Sequence, residues 1–134
     1  MISELKNKII LKIINDDYES LTFKCHDGSE YTMLHHQDCC ECVRLNDING
    51  DLDDLIGSPI LQSEESSSDA TGHNGCESGT WTFYKFATIK GYVTLRWLGE
   101  SNGYYSESVS FDMTKEPDIK EMRKNKLKEI EKRI

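Results

Sequence analysis

Apolar and polar positions alternate in short runs along most of this chain, the period-two pattern of half-buried strands. Residues 9–14 and 21–25 are runs of Ile, Leu, Thr and Phe separated by the turn-forming Asn15-Asp16-Asp17. His26-Asp27-Gly28-Ser29 predicts a tight hairpin, because Asp-Gly supplies the φ > 0 positions such turns need. A strand over 30–35 follows, and residues 42–45 alternate as another. Residues 46–54 read as a polar turn region with a helical turn over 51–56, and Ile60-Leu61 begin a further strand. Residues 63–79 hold five serines, three glycines and no large apolar side chain, which predicts a flexible loop. Residues 81–88 and 92–98 are aromatic and β-branched, joined at Lys90-Gly91, and a third run, 106–111, follows the turn at 99–103. Three antiparallel strands in succession are expected to form the centre of one sheet.

The period changes at the end of the chain. Pro117 stands where a first helical position is expected and Asp118 places negative charge beside it. Ile119, Met122, Leu127, Ile130 and Ile134 then recur at helical spacing, a stripe suited to docking on the sheet. The expected fold is α+β, one domain over 1–134: an antiparallel meander over about 8–112, a metal-binding loop, and a C-terminal amphipathic helix over about 117–134.

Bulk properties narrow the function classes. At 134 residues the chain is long enough for one hydrophobic core. It has no run of about 18 apolar residues, which excludes a transmembrane helix, and no apolar export segment near its start. Five cysteines without such a segment read as reduced thiols or metal ligands, not a disulfide framework. The formal charge of −8 is unevenly spread: residues 115–134 carry +3, the rest −11, and residues 38–77 alone carry −9. An acidic body disfavours direct contact with nucleic acid, whose phosphates need Lys and Arg, and suits a basic protein surface.

The densest chemistry is His35-His36-Gln37-Asp38-Cys39-Cys40-Glu41-Cys42, with two imidazoles and three thiols in eight residues. Thiolate and imidazole together suit zinc, and Cys39-x-x-Cys42 has knuckle spacing. His35, Cys39, Cys40 and Cys42 are the expected zinc ligands. The completing ligand stays open among His36, Cys25, Cys76, His26, His73, Glu64 and Glu65. A cysteine nucleophile, Cys39 or Cys40 with His35 or His36 as base and Asp38 as orienter, is the enzymatic alternative. Residues 47–54 fail as an EF-hand, since the glycine comes at the fourth position, not the sixth. Trp81, Tyr84, Trp97 and Tyr104 are candidates for stacking on a nucleotide base, against the ordinary reading of strand aromatics as core.

The segments His35-x-Gln37-Asp38-Cys39-Cys40-Glu41, Gly50-Asp51 to Glu64-Glu65, Thr80-Trp-Thr-Phe-Tyr84 and Ser101-Asn-Gly-Tyr-Tyr-Ser106 resemble a phage and prophage family of uncharacterised small proteins. The likeness spans about residues 30–112; Cys42 and His36 lie outside its pattern. Within that family the chain is similar to type II-A anti-CRISPR proteins of streptococcal prophages. The resemblance implies a non-enzymatic inhibitor of a host Cas9 nuclease, acting in the host bacterial cytoplasm without itself binding nucleic acid or membrane. It agrees with the charge map, because such effectors hold nucleic acid in basic channels. Asp47, Asp51, Asp53, Asp54, Glu64 and Glu65 are then the expected partner-binding residues. The alternatives are a zinc- or cysteine-dependent enzyme and a nucleotide-sequestering protein.

Overall fold

The computed structural model describes residues 2–118, 120 and 122–124. Its strands are β1 (Ile10–Asp16), β2 (Ser20–Cys25), β3 (Glu30–Leu34), β4 (Cys42–Asn49), β5 (Gln62–Asp69), β6 (Ser78–Thr88), β7 (Gly91–Ser101) and β8 (Ser110–Lys115). They form two four-stranded antiparallel sheets, ordered β1-β2-β3-β8 and β4-β7-β6-β5. Alternation decides the inner faces: Leu21, Phe23, Tyr31 and Met33 of the first sheet are buried against Leu45, Tyr84, Phe86, Val93, Leu95 and Trp97 of the second. Phe23 meets Phe86 across the interface with ring centroids 5.9 Å apart. The Trp97 indole N–H, fully buried, donates to the Met33 sulfur at 3.1 Å.

Four expectations change. The expected single sheet is instead two sheets covering one another, since each has an apolar face that the other buries. The run 106–111 does not join 81–88 and 92–98; β8 pairs with β3, Phe111 opposite Met33. The predicted loop over 63–79 is mostly strand: β5 occupies Gln62–Asp69 and pairs with β6 over eight residues. β5 lies at a sheet edge, so backbone hydrogen bonds hold it without large apolar side chains. β4 likewise runs through the predicted turn to Asn49, with an irregularity between Leu45 and Asp47. Of the terminal helix, Lys120 and residues 122–124 are helical and the Met122 N–H donates to the Asp118 carbonyl at 2.9 Å. Ile119, Leu127, Ile130 and Ile134 lie outside the described residues.

The helical turn expected over 51–56 is a 3-10 turn, Leu52–Leu55, capped by the Asp51 carboxylate on the Asp53 N–H at 3.0 Å. It seats the fully buried Leu55 in the core. Gly50 before it has φ +112°, and a Cβ there would meet the Tyr92 carbonyl oxygen at 2.5 Å, so no other residue fits. Among the described residues no helix is long and apolar enough to cross a membrane.

Phe23→Ala removes the ring that joins the sheets and is expected to lower unfolding free energy by about 3–5 kcal/mol. Urea denaturation followed by tryptophan fluorescence measures it. A loss under about 1 kcal/mol would mean that the sheets do not share this core.

Candidate functional site

The chain crosses between the sheets at residues 35–41, from β3 to β4, and at residues 102–109, from β7 to β8. Glu41 organises the first crossing. Its side chain has no exposed surface. A buried carboxylate needs donors, and it accepts from His35 Nε2 (2.8 Å), the Cys39 N–H (2.8 Å), the Asp38 N–H (3.0 Å) and Gln37 Nε2 (3.3 Å). The Gln37 amide also donates to the carbonyls of Glu41 (2.6 Å) and Cys39 (3.1 Å). The His35 hydrogen bond is the main reason that Glu41 is lowered to about 2, against an ordinary 4.5; burial opposes it and the backbone N–H groups of Cys39 and Asp38 add to it.

His35 ties this crossing to the second one. Its Nδ1 lies 2.7 Å from the Ser108 carbonyl oxygen while its Nε2 faces Glu41. Both ring nitrogens thus face oxygen atoms within hydrogen-bond distance.

The expected zinc ligands are therefore not assembled. His35 is committed to Glu41 and Ser108, and Cys39 and Cys40, both exposed, are joined by a disulfide. Cys42 is a free, exposed thiol at the start of β4. Among the described residues no three His, Cys, Asp or Glu side chains are grouped to hold a metal ion. Of the reserve ligands, His36 pairs with Asp112 at 2.8 Å, His26 Nδ1 accepts the Ile9 N–H at 3.3 Å, and His73 packs on Trp81. Cys25 is buried in β2, Cys76 is half-buried with its sulfur 3.7 Å from the Ala70 carbonyl, Glu64 is exposed on β5, and Glu65 accepts from the Tyr84 hydroxyl at 2.9 Å. Of the five cysteines, expected as reduced thiols or metal ligands, Cys25, Cys42 and Cys76 are free thiols. A bridge between sequence neighbours closes almost no loop, so it is no framework staple.

The acidic residues separate in space. Asp47 lies on β4 opposite Arg96, Asp51, Asp53 and Asp54 surround the 3-10 turn, and Glu64 and Glu65 sit on β5, at the other edge of the sheet from β4. The aromatic residues do not form one platform either. Tyr84 and Trp97 are core, Trp81 lies under the Arg96 guanidinium (4.7 Å) and against His73 (5.0 Å), and Tyr104 is 88% exposed. Arg96 donates to the Asn46 side-chain oxygen (2.6 and 3.0 Å).

Three residues that shape the site escape a reading of the sequence. Glu41 looks there like one acid among ten. Glu107, in the second crossing, accepts hydrogen bonds from the hydroxyls of Ser101 and Thr80 (2.7 Å to Thr80). Gly99 lets that crossing lie against β7, for a Cβ there would stand 2.6 Å from the Glu107 carbonyl oxygen. A glycine within an apolar strand was its visible signal.

Glu41→Gln replaces the charged hub by an amide that presents a donor where four N–H groups converge, and it should lower the melting temperature. The sign with pH follows from the depressed value. The stabilisation by Glu41 is fully present above about 4.5 and is lost as pH falls toward about 2. Asp27 contributes in the same range: burial opposes its charge, yet hydrogen bonds from Lys8 and Ser29 lower it to about 2. The variant's acid unfolding curve should therefore be shallower than wild type but not flat. Superimposable slopes would remove Glu41 from that role. Alkylation of native protein under mild denaturation should label three cysteines, and labelling of Cys39 and Cys40 should require a reductant. Protection relieved by a chelator instead would restore a metal to the loop.

No curated protein and no solved structure matches the chain. The model of a family described as a domain of unknown function, DUF7448, matches residues 3–111, a span that contains both crossings and the whole second sheet, and the chain therefore belongs to the DUF7448 family.

Proposed function

We propose that this protein acts by binding, laying an acidic surface on a basic surface of a partner. Following the sequence resemblance, we propose that the partner is a Cas9-type nuclease in the host bacterial cytoplasm. The observation that carries the reading is the exposure of the charge, which divides between the β4 and 3-10-turn side of the second sheet and its β5 edge. Of the acids in residues 38–77, Glu41 is withdrawn into the loop, whereas Asp47, Asp51, Asp53, Glu64, Glu65 and Asp69 are exposed. Arg44 is the one base in that segment. A surface of this kind is drawn to channels that hold nucleic acid, and its occupation of such a channel excludes target DNA without touching it. Stacking on nucleotides is less favoured, since Trp81 is already covered by Arg96 and His73.

The test is co-purification with a type II-A Cas9 and inhibition of DNA cleavage. Raising ionic strength from about 0.05 to about 0.5 M should weaken the complex at least about tenfold, because exposed charge pairs are screened. Asp51→Asn with Asp53→Lys and Asp54→Lys keeps the cap while reversing charge, and should weaken binding by about the same factor. Salt-independent binding, or no binding, would sink this reading; full potency of the triple variant would move the interface away from the 3-10 turn.

A further inference from the structure

β5 is an open edge. In the order β4-β7-β6-β5 its one neighbour is β6, and the pairing runs without irregularity from Gln62 opposite Ala87 to Asp69 opposite Thr80. The Ala70 N–H donates to the Gly79 carbonyl at 2.8 Å in the continuation of that register. By the alternation of an antiparallel ladder, Glu64, Ser66 and Ser68 then turn their backbone groups toward β6, and Glu65, Ser67 and Asp69 turn theirs outward. Among the described residues no backbone group bonds to Glu65 or Ser67 from the outer side. Native sheets blunt such edges with charged side chains, proline or a bulge; Gln62–Asp69 has no proline and no bulge, and its charged side chains, Glu64, Glu65 and Asp69, are all acidic, which opposes a second acidic strand but not a basic one.

Beside this edge lies a groove of about 550 Å³ between β5, β6 and the second crossing. Its lining includes the Glu65 and Glu107 carboxylates, the hydroxyls of Ser67, Thr80 and Thr82, and Tyr105, and no basic side chain. Burial works against charge on Glu107, but hydroxyl donors from Ser101, Thr80 and Ser78 hold its carboxyl below the ordinary range. Glu65, Ser67 and Asp69 alternate with Glu64, Ser66 and Ser68, so their side chains share the face of β5 that flanks the groove.

We propose that β5 is a docking edge onto which an extended basic segment of a protein partner adds as a further strand, with a Lys or Arg of that segment reaching into the Glu65–Glu107 groove. The inference rests on the acidic-docking reading above and names the element through which it acts. Backbone hydrogen bonds supply register and affinity, and the groove selects the charged side chain. An ammonium or guanidinium brings only donors, and the groove offers carboxylate and hydroxyl acceptors. A second copy of this chain is a poor occupant, because two β5 edges would face Glu64, Glu65 and Asp69 of one against those of the other.

Ser67→Pro tests the edge: its outward N–H serves no bond to β6, so the ladder within the sheet survives while an added strand is blocked. Glu107→Gln tests the groove while keeping an acceptor for its hydroxyl donors. The probe is a decapeptide of alternating Thr and Lys, alongside a form with alternate backbone amides N-methylated, titrated by fluorescence anisotropy into full-length protein. Circular dichroism verifies that each variant is folded. Wild type should bind the unmodified peptide, and Ser67→Pro, Glu107→Gln and the methylated peptide should each weaken binding by about tenfold or more. Equal binding by wild type and Ser67→Pro would overturn the strand addition, while salt-sensitive Cas9 binding in both would leave the acidic-docking reading standing. No binding of the unmodified peptide at about millimolar concentration would overturn it too, as would a dimer of wild type that Ser67→Pro dissolves.

Discussion

A single buried carboxylate governs how the two sheets are joined. Glu41 cannot leave water without replacing its lost hydration, and four donors, all from residues 35–39, converge on it. That requirement sets the path of the first crossing. His35 then carries the constraint to the second crossing through the Ser108 carbonyl. Two of the four segments that carry the sequence resemblance, the one around Cys39-Cys40 and the one around Tyr104-Tyr105, are thus crossings between sheets, and they meet at one histidine.

The clasp explains why the thiols stay outside. With Glu41 drawn in and Gln37 holding the carbonyls of Cys39 and Glu41, the turn between them projects Cys39 and Cys40 into solvent. Cysteine is ordinarily among the most buried residue types, so two neighbouring exposed cysteines are unusual. Exposed disulfides also belong to the labile class, open to exchange with thiols. The second crossing has the opposite chemistry. Its serines and Glu107 face β6, and the groove they make opens beside an edge strand with acidic side chains.

The strands with strong alternation were legible from the residues: β2 and β3 around Asp27-Gly28, and β6 and β7 around Lys90-Gly91. β5 was not, because an edge strand that turns no large side chain into the core loses the apolar signature by which strands are recognised. The pairing of β8 with β3 was hidden for another reason, since it joins residues some eighty positions apart and nothing local encodes it. At the loop, residue types pointed to His35, Cys39, Cys40 and Cys42 as one ligand set, because composition counts donors without saying what they face. Here the imidazole faces a carboxylate and a carbonyl, and two of the sulfurs face each other.

By itself the sequence determined an antiparallel β protein with turns at its Asp-Gly and Lys-Gly pairs, one ligand-rich connection, and a surface whose negative charge is concentrated in residues 38–77. Those properties are local: alternation, turn chemistry and charge are legible within a few residues. The tertiary structure alone decided that the sheets cover each other, that Glu41 is a hub and not a surface acid, and that the acidic residues divide between the end of one turn and the far edge of a sheet. Each of these depends on which distant backbone supplies the missing hydrogen-bond partner or the missing apolar face, and that is settled only when the whole chain has closed around one core.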